Sequence, residues 1–312
     1  MGPFRQKCSN TRVAVRRKDR SHWITVRSLL PANTSTRHNR KICSQDLTAL
    51  PLPIPVICRG SLDQLTNGEP LAISASGNLV CATIPTGGTS PNTTDAVDCI
   101  SGATDLTNGT VFTLPGVPAG SQPAAIKVIG SVVFFYGRGD QTLRWDTVSG
   151  TTATVTGSFQ LSQFTATDAN FWNTYPGTTG WDLIQLGTST SNPTLAIMGQ
   201  VEKPDGTIVQ KLAVITGISG SPTVAYFDLQ PGTTHIAPDP LDSTAVAGEY
   251  EDFSGGAAPI TRFEKVYVNT TGNSSILSPT STIAPGTGFL ITTDDKYVVV
   301  FGEGKADFEP YL

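Results

Sequence analysis

Five acids fall close together in the last third of the chain: Asp239, Asp242, Glu249, Glu251 and Asp252. Calcium is held by several converging oxygens, so such a run could supply ligands. Its spacing is not that of an EF-hand loop, and a solvated acidic loop is the stronger reading of the same residues. His235 stands alone after Gly232-Thr233-Thr234, beside no nucleophile motif, and the other two histidines, His22 and His38, lie in a basic N-terminal segment. The chain contains no GxSxG, HExxH, GxGxxG or phosphate-loop pattern, and no Cys/His set has zinc spacing. A glycosidase needs only two carboxylates, yet nothing in the spacing of the acids selects a pair. Arg138-Gly139-Asp140 spells a cell-adhesion tripeptide, but its place between two strand-like runs explains it as a turn. Phe135, Tyr136, Trp145, Trp172 and Trp181 could line a sugar site, with packing as the better default for large aromatics. The residues therefore predict a non-enzymatic protein with no catalytic group and no cofactor.

The charge distribution is more informative. Residues 1–59 carry twelve Lys and Arg against Asp19 and Asp46 alone, whereas residues 60–312 carry nine against twenty-three acids. The net charge of −4 thus joins a basic arm to an acidic body. Eleven basic residues lie in the first forty-one positions: Arg5, Lys7, Arg12, Arg16, Arg17, Lys18, Arg20, Arg27, Arg37, Arg40 and Lys41. Clustered Arg and Lys neutralise phosphates and release counterions, which makes nucleic acid the leading partner for the arm. An Arg- and Ser-rich, acid-poor segment is also the composition of an organelle transit peptide. No run approaches the roughly 18 apolar residues of a membrane helix, so no membrane span is expected. The five cysteines, Cys8, Cys43, Cys58, Cys81 and Cys99, all lie in the first third. An odd number leaves at least one without an intrachain partner. Cys81 and Cys99 flank a Thr/Gly/Pro-rich loop and could pair, or could remain buried thiols.

Charged residues make up only 15% of the chain, below the usual quarter, and Thr, Ser and Gly take their place. Such a composition suits short strands in an all-β body. Residues 124–159 carry the pattern most clearly. Val132 to Tyr136 is a short continuous apolar run, which predicts a strand buried on both faces. Gly137 to Asp140 turns the chain, Thr142 to Asp146 alternates, Ser149-Gly150 turns again, and Thr152 to Val155 begins a third strand. Further strands are expected at 183–186, 194–199, 208–216, 223–229, 262–268, 289–292 and 297–301. Asn-Gly occurs twice in a Leu-Thr-Asn-Gly tetrapeptide, at 65–68 and 106–109, as a hairpin signal. Thr165 to Trp172 is the best candidate for a short helix. Within the arm, Trp23 to Val26 could add one strand to a sheet or to a neighbouring subunit.

The expected organisation is a disordered basic arm or targeting segment (1–43), a Pro-rich connector (44–60), a main β domain (61–235), an acidic Pro/Gly-rich loop or hinge (236–260), and C-terminal strands (261–312) of the same or a second β domain. The body is expected to be an antiparallel sandwich or jelly roll, with weak internal echoes that could reflect duplication. Val132, Phe134, Leu143, Trp145, Ile197, Val214, Tyr226, Val298 and Val300 are the expected core.

An arginine-rich arm, a Pro-rich connector and a Thr/Gly-rich body of short strands resemble the coat proteins of small icosahedral viruses. The resemblance implies a jelly-roll body that self-assembles into a shell, an arm that faces packaged nucleic acid, and a virion location. The alternatives are an organelle-lumen scaffold with a cleaved transit segment, a carbohydrate-binding or propeller-like β module, and a β-fold hydrolase.

Overall fold

The computed structural model describes residues 42–44, 57–59, 72–84, 96–102, 109–161, 182–202, 208–252, 260–269, 274–281, 289–292, 294–302 and 305–311. Among them are β-strands and no helix. β1 (Ile42–Ser44) and β2 (Ile57–Arg59) form an antiparallel pair. The first four-stranded sheet holds β3 (Ile73–Ser76), β4 (Leu79–Ile84), β5 (Ala96–Ser101) and β6 (Thr110–Thr113). The second holds β7 (Pro123–Ile129), β8 (Val132–Gly137), β9 (Thr142–Ser149) and β10 (Thr152–Gln160). The third holds β11 (Leu183–Leu186), β12 (Thr194–Glu202), β13 (Ile208–Thr216) and β14 (Thr223–Asp228). The fourth holds β15 (Thr233–Pro238), β16 (Ala245–Asp252), β17 (Ile260–Tyr267) and β18 (Ser274–Ser281). The fifth has three strands, β19 (Phe289–Ile291), β20 (Tyr297–Gly302) and β21 (Lys305–Pro310).

The described residues are all-β and antiparallel, as the composition predicts. Its strand order differs from a jelly roll. In every sheet the strands follow one another in chain order, so no Greek-key crossover occurs among the described strands. The cause lies in the turns. β7 and β8 are joined by Gly130-Ser131, and β9 and β10 by Gly150-Thr151, with the glycines at φ +58° and +62°. Two-residue loops opened by a positive-φ glycine force consecutive strands to pair. Each meander is therefore finished before the chain moves on.

The first strands of successive sheets touch in series, β3 with β7, β7 with β11, β11 with β15 and β15 with β19. Sequential meanders joined along their first strands are the pattern of propeller blades. Polar side chains stitch these seams. Ser74 Oγ on β3 accepts the Val128 N–H of β7 at 2.9 Å, and Ser76 Oγ accepts that of Gly130 at 3.1 Å.

Between the sheets lie four apolar cores. Cys81, Val97 and Leu79 of the first sheet meet Val133 and Phe135 of the second. Phe134, Tyr136, Leu143 and Trp145 on the other face of the second sheet meet Leu195, Ile197 and Ile215 of the third. Met198, Leu212 and Phe227 meet Ile236, Val246 and Val266 of the fourth. Ala247, Phe263 and Leu277 meet Ile291, Val298 and Val300 of the fifth. The run Val133 to Tyr136 is thus buried on alternating sides, which explains why it is apolar without interruption. Seven of the expected core residues are buried, whereas Val132 and Tyr226 are half-buried against the same cluster. Cys81 and Cys99, opposite each other on β4 and β5, form a disulfide.

Residues 236–260 are not one long loop. They contain the end of β15, all of β16 and the start of β17. Gly248 and three acids hide this strand from a hydrophobic pattern. Gly248 is small because a Cβ there would approach Glu264 Cγ to 3.1 Å. The Leu-Thr-Asn-Gly repeats, apart from Gly109, lie outside the described residues, as do the expected helix at 165–172 and residues 1–41 of the arm. No helix among the described residues is long and apolar enough to cross a membrane.

Trp145 is 7% exposed and packs on Phe134, its partner on β8, with ring centroids 6.2 Å apart. Trp145→Ala should cost ~3–5 kcal/mol in urea unfolding, as expected for deleting a buried aromatic. A loss under ~1 kcal/mol would contradict its core position.

Candidate functional site

Polar side chains gather at both ends of the seam between the third and fourth sheets, where β11 runs beside β15. At one end Asp182 immediately precedes β11. Its Oδ2 accepts the Ile236 N–H at 2.9 Å and lies 3.0 Å from His235 Nδ1. Both side chains are partly exposed, 30% for Asp182 and 20% for His235. A carboxylate there favours the proton on Nδ1 and fixes the ring orientation. A bulge between Thr233 and His235 re-aims the strand at this point. Behind it Glu264 is 1% exposed. Its Oε1 accepts the Gln230 N–H at 2.8 Å and the Thr233 hydroxyl at 3.2 Å, and its Oε2 is buried with no hydrogen-bond partner. Burial pushes the Glu264 carboxyl above its ordinary value, against the pull of those two donors. Gln210 Oε1 accepts the Gly232 N–H at 3.3 Å and holds the turn into β15.

At the other end is a cavity of about 500 Å³. Leu186, Gly187, Thr188, Ser189 and Thr194 line it from the third sheet, and Asp239, Pro240, Leu241 and Ser243 from the fourth. The Asp239 carboxylate is fully buried. It accepts the N–H groups of Leu241 at 3.0 Å and Asp242 at 2.9 Å, the Tyr311 hydroxyl at 3.1 Å, and the Lys265 ammonium at 2.6 Å. The Lys265 ammonium also lies 5.5 Å from the Tyr267 ring centroid and 5.4 Å from that of Tyr311, within cation–π reach. Burial alone would raise the Asp239 carboxyl. Lys265 and the two backbone donors outweigh it, so the carboxyl sits below its ordinary value. Burial would likewise lower Lys265, but its hydrogen bond and charge pairing with Asp239 raise it overall. Burial, then the Asp239 charge, pushes the Tyr311 phenol up. Asp295, at φ +56°, is raised by burial and then by Asp239.

The acids expected as calcium ligands are divided between the loop that joins β15 to β16 (Asp239 and Asp242) and β16 itself (Glu249, Glu251 and Asp252). Asp239 serves the cluster above. Asp242 Oδ1 accepts from Thr244 N at 2.9 Å and Thr244 Oγ1 at 2.6 Å within a tight turn. Glu249 is buried opposite His235, Glu251 is half-buried, and Asp252 pairs with Arg262. Among the described residues no three His, Cys, Asp or Glu side chains group as metal ligands. Arg5, Lys7, Arg12, Arg16, Arg17, Lys18, Arg20, Arg27, Arg37, Arg40 and Lys41 lie outside the described residues, as do Trp172 and Trp181. Phe135, Tyr136 and Trp145 belong to the core. Arg138 is buried in its turn, donates from Nε to Gln122 Oε1 at 3.1 Å, and is lowered to about 10 by burial.

Asp182, Glu264, Lys265 and Tyr311 were not singled out by motif. Glu264-Lys265 does carry a signal: adjacent residues of a strand point to opposite faces, and β17 belongs to a sheet covered on both sides. Both charges therefore had to be buried and partnered.

No protein-family model matches the chain, and no curated protein matches its sequence. Solved structures similar to it include a chain of a nidogen–laminin complex, at 10% identity and TM-score 0.45 over 88% of this chain and 91% of that one. Hydrazine synthase of Kuenenia stuttgartiensis aligns at 10% identity and TM-score 0.39, over 74% of this chain and 72% of that one. Virginiamycin B lyase of Staphylococcus aureus aligns at 12% identity and TM-score 0.37, over 80% and 86%. Likenesses this distant assign no activity to the chain.

The Asp239 cluster ties the last strand's end to the fourth sheet. Asp239→Asn leaves Lys265 buried without its counter-charge and should destabilise by ~3–5 kcal/mol. Tyr311→Phe, which removes one hydrogen bond, should cost ~1 kcal/mol. The stabilisation from Asp239 is complete above its unfolded value of about 3.9 and fades as pH falls through the lower folded value. That from Lys265 is complete below about 10.4 and fades as pH rises through its raised folded value. Thermal unfolding across pH should show Asp239→Asn losing the acid-side dependence; an unchanged profile would remove Asp239 from this role.

Proposed function

We propose that the protein is non-enzymatic and structural: an acidic β body of propeller-like blades that assembles with copies of itself and carries a basic arm for nucleic acid. The single observation behind this reading is the segregation of charge, with eleven of the twenty-one basic residues in the first forty-one positions. The body adds support of a different kind. Asp182 and Glu264 accept backbone N–H groups of neighbouring segments, and Asp239, which lines the cavity, is already paired with Lys265. A shell or lattice is the form of assembly we favour, and a virion coat is the case that the resemblance implies. That resemblance rests on the arm and the composition, because the meander order departs from a jelly roll.

A second reading is favoured by one feature. The cavity beside Asp239 presents the hydroxyls of Thr188, Ser189, Thr194 and Ser243 next to Leu186 and Leu241. A neutral hydroxyl-rich ligand such as a carbohydrate would suit such a lining better than an ion, since the carboxylate there is already paired.

The arm reading is tested by RNA binding across a salt series. Each phosphate neutralised on a single strand contributes about −0.7 to the log–log slope, so half of the arm engaged gives about −4. Replacing Arg16, Arg17 and Lys18 with glutamate should flatten that slope by roughly two units or more. Binding that ignores salt, or is unchanged in the variant, would remove nucleic acid as the arm's target. Light scattering of the same samples reads assembly separately.

A further inference from the structure

The connection from the third sheet to the fourth closes on one buried acid. Residues 229–232 lead from β14 into β15. Glu264 Oε1 on β17 accepts the Gln230 N–H at 2.8 Å and the Thr233 hydroxyl at 3.2 Å. The second bond is the weaker, because Thr233 has a single hydroxyl hydrogen and the Gln230 C=O lies nearer to it, at 2.6 Å. Glu264 Oε2 is buried with no hydrogen-bond partner. Gly248, opposite on β16, leaves just enough room for the side chain, since a Cβ there would stand 3.1 Å from Oε1. An ionised carboxylate in this position has one full donor and one shared donor, which is poor compensation for its removal from water. Among the described residues no cation pairs with it. Arg262, two positions earlier on β17, is engaged by Asp252 of β16. Tyr250 of β16, opposite Thr233, is a neutral phenol raised chiefly by burial. Glu249 and Glu251 alternate to the other face of that strand. His235 on β15 is held by Asp182. From the third sheet come the uncharged Gln210 and a Lys211–Asp228 pair. β18 carries no charged residue.

We propose that Glu264 is a proton-operated latch on the seam between the third and fourth sheets. As the neutral acid, with its hydrogen on Oε2, it keeps Oε1 as the acceptor for Gln230 and holds the connection closed. Ionisation releases residues 230–233 from β17 and opens the adjoining end of the seam to water. Acid closes the latch and base opens it. The raised carboxyl agrees with this direction. An acid raised in the closed state stabilises that state fully below its open-state value of about 4.3, and the contribution is lost as pH rises through the closed-state value. Between the two values each opening releases one proton, so the open population grows about tenfold per pH unit. The inference goes beyond the functional reading above, because it requires neither nucleic acid nor self-assembly.

Hydrogen exchange of the full chain across pH, read by mass spectrometry and corrected for the intrinsic pH dependence of amide exchange, tests it. In the wild-type chain, protection of 230–233 should fall by about tenfold per pH unit within that window, whereas protection of β4 should not. In Glu264→Gln, which keeps an acceptor oxygen and cannot titrate, protection of 230–233 should not depend on pH. Infrared spectra of the wild-type chain should show a protonated-carboxyl band that persists above the ordinary carboxylate range and is missing from that variant. Thr233→Val removes the shared donor and should move the wild-type midpoint to higher pH; it decides the matter if Glu264→Gln does not fold. Protection of 230–233 that ignores pH in the wild-type chain, an equal pH dependence in Glu264→Gln, or an unmoved midpoint in Thr233→Val would overturn the proposal.

Discussion

Among the described strands, the first strand of each of the five larger sheets pairs on one edge only, and the first strands of successive sheets touch. A backbone N–H left there without an acceptor would cost as much as a lost hydrogen bond. The protein meets this constraint with side chains. Ser74 and Ser76 cap β7 and the turn after it, and Asp182 caps β15. These contacts set the register between sheets, which apolar packing alone leaves adjustable. Core composition, strand length and the placement of polar residues all follow from keeping those first strands side by side.

The same need explains an unusual number of enclosed acids. Asp146 lies fully buried on β9, where its Oδ2 accepts the Gly116 N–H at 3.1 Å and burial raises its carboxyl. Glu264 does comparable work for the turn before β15. Each holds a loop whose backbone donors would otherwise be stranded between sheets. An isolated buried carboxylate is unfavourable, and Asp239, whose side chain is fully buried, has the largely enclosed Lys265 ammonium to offset it. The acidity of the body is therefore partly an internal, structural matter, distinct from its surface.

Much of this was legible in the residues. The apolar run at Val132–Tyr136, the turn at Ser149-Gly150 and the strand at Ile208–Thr216 follow from period and turn chemistry. The sheet order was not legible, since alternation fixes which face a residue takes but not which sheet lies beyond it. β16 was hidden because its sequence answers to Glu264 and His235 rather than to a uniform core. The acid run looked like one loop because proximity along the chain does not mean convergence: Asp239 lies in the loop after β15 and Glu249 on β16, with separate partners. The Asp239–Lys265–Tyr311 cluster joins residues up to 72 positions apart, and no local pattern announces it.

The serial arrangement has a mechanical consequence. Each sheet is built from neighbouring strands and adheres chiefly to the sheets before and after it. A pull on the C-terminus would therefore load the units one at a time rather than shear the body as a whole. A link that bears that load early is the Tyr311 hydroxyl on Asp239, just beyond β21. Until that link yields, the end of β21 stays seated against the loop between β15 and β16. The body should behave as a ratchet of discrete steps, whose weakest tooth is a tyrosine rather than a strand.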